Sequence, residues 1–390
     1  MTPALEVTRQ NQSGGLMGLT FLTGMSYLRS DQYDKAIPLL EEITGQNNSG
    51  IQAYIDWSMA AAYQGVKKFD QAIDAYQACF EKLEPYIELA ALMIFWMNLG
   101  VCYQLYEKYE EAIAHHQQSL ESYKQLVKQQ NVAHQWDWLA VCYRGWGQYE
   151  KSIECEQNCL AIRQQLDDQA RIALAYYQLG RIYQEWGKYE EAIAHYQQSR
   201  ELYDQLDKQQ NLASVLYSLA YCYRDWGEYE KAIECEQKDL VICQQLDDQS
   251  RIALAYYQLG RIYQEWGKYD NAIAYYQQSL ELCEQLDKQQ SLASVWYGLA
   301  HCYRNRGEYE KAIECQQKDL AILQQLDDQP NIALAYYRLG LMYQNLHKYE
   351  DAITHHKQSL ESYKQLDMYR IAEQTAVMVR YALLTHPTYC

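Results

Sequence analysis

The segment RIALAYYQLGRIYQEWGKY occupies residues 171–189 and returns letter for letter at residues 251–269. Altered copies recur every 40 residues from about residue 91 to residue 370. Nothing else in the chain constrains its fold as strongly. A short unit repeated at fixed spacing cannot bury its apolar face alone, so neighbouring copies must stack and share one continuous core. That rule overrides the usual division of a 390-residue chain into domains of about 150 residues. Paired Ala-Ile landmarks begin at Ala36, Ala72, Ala112, Ala192, Ala232, Ala272, Ala312 and Ala352, with Ser152 standing for alanine once. They mark nine units; the first spacing is 36 residues and every later one is 40.

Each unit has a helical period. Tyr176, Leu179, Gly180 and Tyr183 fall at i, i+3, i+4 and i+7, one face of a helix. Gly187 then stands where a helix end needs a left-handed residue, with Gly147, Gly227, Gly267 and Gly307 in the same place. A second apolar stripe runs through Tyr189, Ala192, Ile193, Tyr196, Leu202 and Leu206. A polar break follows (DKQQ or DDQ), with Pro330 where a new helix begins. The pattern predicts an all-α α-solenoid of about nine antiparallel hairpins, helix A of about 14 residues and helix B of about 18. The boundaries expected are a frayed tail over 1–15, the array over 16–370, and a capping helix and tail over 371–390. Residues 371–384 could equally open a tenth unit.

Trp96-x-x-Leu99-Gly100-x-x-Tyr103 followed by Ala112 resembles the tetratricopeptide repeat signature. Trp136-x-x-Leu139-Ala140-x-x-Tyr143 and Trp296-x-x-Leu299-Ala300-x-x-Tyr303 match equally well, while Tyr176, Leu216, Tyr256 and Tyr336 replace the tryptophan elsewhere. The resemblance covers nearly the whole chain and implies a right-handed superhelix. Small residues such as Gly180 or Ala220, facing Ala192 or Ala232, would let the two helices approach closely. The period departs from the usual 34 residues, which suggests a second helix lengthened by about one and a half turns. In this it is similar to kinesin-light-chain-like and cyanobacterial multi-repeat arrays. Units also alternate in type, so the deeper period is 80 residues.

In that family helix A lines an inner, concave groove. Carried over by register, the groove would receive Tyr177, Arg181, Gln184, Tyr217, Tyr221, Arg224, Tyr257, Arg261, Gln264, Tyr297, His301, Arg304 and Tyr337. Tyrosines with arginine and glutamine beside them offer rigid amphipathic area and forked donors. Such a wall suits an extended peptide or a helix carrying carboxylates. The competing reading packs these tyrosines between units and pairs the arginines with Glu185, Asp225 and Glu265. The Lys/Asn carboxylate clamp of chaperone-binding members is absent.

A net charge of −17 and a pI near 5.0 repel phosphate backbones, so nucleic acid is not an expected ligand. The opening MTPALEVTRQNQ lacks a basic stretch followed by an apolar core, and a cytoplasmic location is expected. Residues 89–106 are apolar but keep repeat phase, so a buried repeat helix is expected there rather than a membrane span. Within it Ile94, Phe95, Met97, Val101 and Leu105 leave little polar face. Cys142/Cys155, Cys222/Cys235 and Cys302/Cys315 recur 13 apart and read as small buried hydrophobes rather than a metal or redox set. His115, His116, His195, His355 and His356 read as solvated or packed. No phosphate-binding glycine loop, metalloprotease motif or nucleophile elbow is present in the sequence, and neither cofactor nor metal is expected. The expected function is a non-enzymatic scaffold that binds a protein or peptide in the groove. The alternative is the sensor array of a signalling effector with a caspase-like or nucleotide-binding partner.

Overall fold

A computed structural model describes residues 23–44, 49–83, 89–126 and 128–384. Among them every regular element is a helix. The chain forms two compact bodies, Met1–Lys188 and Tyr189–Cys390. The N-terminal body holds α1 (23–29), α2 (Tyr33–Ile43), α3 (Ser49–Gly65), α4 (Phe69–Leu83), α5 (Leu89–Leu105), α6 (Tyr109–Gln125), α7 (Gln129–Gly145), α8 (Tyr149–Gln165) and α9 (Gln169–Glu185). The C-terminal body holds α10 (Tyr189–Gln205), α11 (Gln209–Asp225), α12 (Tyr229–Gln245), α13 (Gln249–Glu265), α14 (Tyr269–Gln285), α15 (Gln289–Asn305), α16 (Tyr309–Gln325), α17 (Gln329–Asn345), α18 (Tyr349–Gln365) and α19 (Tyr369–Leu384). Within each body consecutive helices pack as hairpins, the solenoid that the repeat predicts. The expected tail over 1–15 and the last residues, 385–390, lie outside the described residues.

The expected inequality of the two helices does not hold. From α5 to α18 each helix has 17 residues, so the added length is not a special extension of the second. The glutamines of the supposed polar break belong to helix A. Asp168, Asp248 and Asp328 cap it by accepting from the amides of Arg171, Arg251 and Asn331. Pro330 sits in its first turn, where no amide hydrogen is missed.

Left-handed residues make the turns, with Lys67, Glu107 and His347 standing in the helix A to helix B turn of three units at φ of 59 to 61°. Between helix A and helix B, Gly147, Gly187, Gly227, Gly267 and Gly307 take φ of 76 to 83°, as expected. Between units the same conformation falls to Asp167, Asp207, Asp247, Asp287 and Asp327, at φ of 51 to 54°. Aspartate tolerates it because its short polar side chain bonds locally; Asp207, for instance, accepts from Gln209 Nε2 at 2.7 Å.

The hairpins close on one recurring contact. Ser152, in the alanine position, donates to the Ala140 carbonyl at 2.6 Å, so that position does face the small residue of helix A. The tighter neighbour lies one turn further along helix B. A Cβ on Gly260 would come within 2.7 Å of the Tyr276 ring, and one on Gly100 or Gly340 would meet His116 or His356 at 2.8 and 2.5 Å. Within each body register extends the pairing to Ala140, Ala220 and Ala300 with Glu156, Glu236 and Gln316. In these units, from the third onward, glycine thus pairs with a ring and alanine with a slimmer carboxyl or amide. That alternation of volumes is the physical content of the 80-residue period. All six of these helix-B partners are buried.

In the N-terminal body α5 is buried through Phe95, Leu99 and Cys102, and Phe95 packs among the rings of Trp57, Tyr76, Phe80 and Trp96. Met97 and Val101 are half-buried and Leu105 is 50% exposed, so the burial expected of this helix stops before its end. The side chain of Ile94 lies outside the described residues. No helix among the described residues is long and apolar enough to cross a membrane. In the C-terminal body α19 packs on α18, burying Ala372, Thr375 and Val379.

Gly260→Ala should destabilise the protein by about 1–3 kcal/mol, because the new methyl must displace a ring held on both sides. The other side is Gly298, whose Cβ would come within 2.6 Å of the same Tyr276. Adding Tyr276→Gln, which copies the Ala300–Gln316 pair, should recover part of the loss in a circular-dichroism melt. An unchanged melting temperature for G260A alone would show that the pairing does not set the packing.

Candidate functional site

The residues expected to line the groove sit on α9, α11, α13, α15 and α17, and all but Arg224 are half-buried. They sort into two settings. In the N-terminal body Glu185 lies between two guanidiniums, 3.7 Å from Arg181 and 3.4 Å from Arg144, while Arg144 donates to Gln178 at 3.5 Å. In the C-terminal body Glu265 repeats the arrangement, 3.4 Å from Arg261 and 3.3 Å from Arg224. Arg224, 4% exposed, also donates to Asp225 at 2.7 Å and stacks on Tyr221 with its Cζ 4.2 Å from the ring centre. These are the pairings of the competing structural reading. They leave Tyr177 and Tyr257 beside closed ion-pair clusters.

The tyrosines and glutamines also reach inward. Gln258 donates to the Tyr217 hydroxyl at 3.0 Å. Tyr257 packs on Tyr276 with ring centres 5.7 Å apart, and Tyr337 packs on His356 at 5.6 Å. Gln264 accepts from the buried Tyr276 hydroxyl at 2.8 Å, which turns its amide toward the core.

A third copy of the cluster is different. Arg304 stands where Arg144 and Arg224 stand, but the position of Glu185 and Glu265 is Asn345 and that of Gln178 and Gln258 is Arg338. Arg338 lies 3.9 Å over the Tyr297 ring, whose centre is 6.4 Å from that of His301. Among the described residues no carboxylate lies within 4 Å of either guanidinium. Burial, then Arg304 and Arg338, hold His301 below its usual pKa. Burial also lowers Arg338, with Arg304 adding to the effect. The nearest acid in charge terms is Asp319, which accepts from Gln316 at 2.6 Å and is raised by burial to about 6. The sequence reading named Tyr297, His301 and Arg304 but not Arg338. Comparing equivalent positions across the 80-residue period would have found it.

Beneath this face lies a layer of buried polar groups. In the N-terminal body Arg163 pairs with Asp137 at 3.0 Å and approaches Glu156 at 3.8 Å, and burial raises the Glu156 carboxyl well above its usual range. In the C-terminal body Glu236 is 1% exposed and strongly raised, first by burial and then by Asp239, with Arg224 and Arg251 opposing. Asp239 accepts from Arg251 at 3.3 Å and is itself raised to about 6 by burial. His116 and His356 are packed, as one of the expectations for them had it, and burial lowers both to about 4. The cysteines of the described residues are buried and unpaired. Burial pushes Cys142, Cys155 and Cys222 up to about 12, so they are poor nucleophiles. Cys390 lies outside the described residues. No cluster of three or more metal-ligating side chains occurs among them.

Glu236 offers a proton-linkage test. Its raised pKa means the fold holds a proton that the unfolded chain releases above about 4.3. The stability it contributes is full below that value and is lost as pH rises toward the folded pKa. Glu236→Gln, copying Gln316, should therefore melt roughly 2–6 °C higher at pH 7.5, with the gap closing toward pH 4.5. The buried histidines weaken both proteins alike on acidification and drop out of the difference. A gap independent of pH would rule out the linkage.

Family models described as tetratricopeptide repeat match residues 52–125, 132–205, 187–240, 211–285 and 291–365, and a second model of that description matches 257–321. No curated protein matches the sequence. Among solved structures the chain is similar to the signal transduction ATPase with numerous domains (STAND) protein with a tetratricopeptide repeat sensor from Pyrococcus horikoshii. That match has 15% identity and a TM-score of 0.60, over 96% of this chain and 60% of that one. It is similar also to aspartyl phosphate phosphatase F from Bacillus subtilis, at 14% identity and a TM-score of 0.55, over 89% of this chain and 93% of that one. BtubC (BKLC) from P. vanneervenii matches at 21% identity and a TM-score of 0.51, over 56% of this chain and 92% of that one. At these identities the likeness is one of fold. The family models span most of the chain, which belongs to the tetratricopeptide repeat family.

Proposed function

We propose that this chain is a protein-binding scaffold whose helix-A face holds an extended segment of a partner, and that Arg304 and Arg338 anchor a carboxylate of that segment. Repeats of this family serve in protein–protein interaction and generally do so without catalysis. One observation carries the finer reading. Where Glu185 and Glu265 close their clusters from within, Asn345 supplies no charge, and a second arginine stands in place of a glutamine. Two half-buried guanidiniums with no carboxylate within 4 Å among the described residues suit an acidic ligand held by forked hydrogen bonds. Tyr297, Tyr337 and His301 supply the flat surfaces beside them. The unpaired buried thiols suit a reducing compartment, and we place the protein in the cytoplasm on that ground.

A second reading makes the array the sensor of a larger signalling assembly. It draws on the likeness over 96% of this chain to a protein described as having a tetratricopeptide repeat sensor. The two readings share the binding face and differ in what binding controls.

Selection from a random peptide library on the full chain should enrich peptides containing aspartate or glutamate. Asn345→Glu, which restores the missing carboxylate, should weaken the selected peptides by about tenfold, the value of one lost charge-assisted contact. Arg338→Gln should do the same, with helicity unchanged in both. Selected peptides without acidic residues, or equal affinity for both variants, would refute the anchor. Replacement of Tyr217, Tyr257 and Arg261 by alanine tests the wider face, and undiminished capture would move binding elsewhere.

A further inference from the structure

The C-terminal body carries a cavity of about 690 Å³ between α10, α11 and α12, lined by none of the residues assigned to the groove. Its floor is Leu212, Leu216 and Ile242, all buried, and its rim carries Arg200, Glu201, Asp204, Lys238 and Val241. The repeat explains why it is hollow. At the position of Leu216 the other units from the third onward have Trp96, Trp136, Tyr176, Tyr256, Trp296 and Tyr336. Those rings meet a partner from helix B: Trp96 stacks on His115, Tyr256 on Tyr275 and Tyr336 on His355. Where helix B offers only Cys155 or Cys315, a tryptophan fills the space from helix A. The Leu216–Cys235 pair has no ring on either side. The sister site built on Trp136 and Cys155 in the N-terminal body encloses about 430 Å³.

The partners of the missing ring are in place. Lys318 holds its ammonium 4.2 Å over the Trp296 ring. Its equivalent, Lys238, lines the cavity with no ring beneath it among the described residues and binds Glu234 at 2.7 Å. A second departure from the repeat meets the first. Arg200 occupies a position that is Leu120, Leu160, Leu240, Leu280, Leu320 and Leu360 in the other units from the third onward. It is half-buried at the cavity wall, and among the described residues no carboxylate lies within 4 Å of it. Glu201, Asp204 and Glu234 on the same rim are exposed, where water and salt screen them.

We propose that this cavity binds a small aromatic carboxylate, its ring in the place that Trp136 and Trp296 fill elsewhere and its acid group on Arg200. The volume lies within the range of small-molecule sites. Lys238 supplies a cation–π contact and Arg200 a forked, charge-assisted one. The site is separate from the helix-A face and does not depend on what that face binds.

The test uses the full chain titrated by calorimetry with indole-3-acetate, indole and tryptamine. Indole-3-acetate should bind saturably, tighter than indole, with tryptamine weakest. Leu216→Trp should abolish binding and raise the melting temperature, since the ring is then supplied from within. Arg200→Leu, which restores the repeat residue, should lose the preference for the acid over indole, about tenfold, while still binding indole. The proposal fails if no probe saturates at millimolar concentration, if L216W binds undiminished, or if tryptamine matches indole-3-acetate. Should L216W not fold, the loss of acid preference in R200L decides alone, and an unchanged preference overturns the assignment.

Discussion

The structure depends on how closely the two helices of each unit can approach. That distance is set where one small residue of helix A meets one buried side chain of helix B. Gly260 against Tyr276 shows the limit, since a single methyl would fall 2.7 Å from the ring. The alanine units reach the same closeness with a slimmer partner. A hairpin of either kind buries its aliphatic residues only if this match of volumes holds, because interiors are packed without room for an extra methyl. Neighbouring units depend on it too, since Tyr276 is held against Gly298 of the next helix A as well.

Using glutamate as the slim partner has a consequence. Glu156 and Glu236 are taken out of water to satisfy packing, and their carboxyls then need cations or protons. Arg163 serves one; Arg224 and Arg251 oppose the rise of the other. A buried charge pair is a poor source of stability, because desolvation offsets most of its attraction. Gln316 shows the neutral solution to the same problem. Of these arginines Arg224 is one that sequence register assigns to the groove, and its engagement with acids leaves it nearly inaccessible.

Much of this was legible in the letters. The Ala-Ile spacing located the hairpins within each body, the glycines marked five of the left-handed turns, and Pro330 marked a helix start. The helix lengths were misjudged because DKQQ and DDQ look like breaks. Only the aspartate is left-handed; the glutamines, good helix formers, continue into the next helix once Asp168 or its equivalent caps it. The volume pairing was present in the sequence as Gly260 with Tyr276 and Ala220 with Glu236, sixteen residues apart. It stays hidden until one knows which turn of helix B reaches the glycine. The groove positions could be counted from register alone, but which arginines were already engaged could not, since that depends on a glutamate 41 residues away in the next unit.

A perfect repeat satisfies its own contacts. The stretch that returns unchanged, residues 171–189 and 251–269, is where Glu185 and Glu265 hold their arginines and where the tyrosines lean on the core. Such a surface gains little from a ligand, because binding must first break contacts of equal quality. The unmet chemistry lies where the copies differ. Asn345 withholds a carboxylate from Arg304, Arg338 adds a charge, Leu216 withholds a ring from Lys238, and Arg200 replaces a leucine. Each change leaves a half-made contact whose missing partner can be named from the units that kept it. In an array of near-identical units, the departures therefore say more about ligands than the conserved pattern does, and the pattern is what makes them readable.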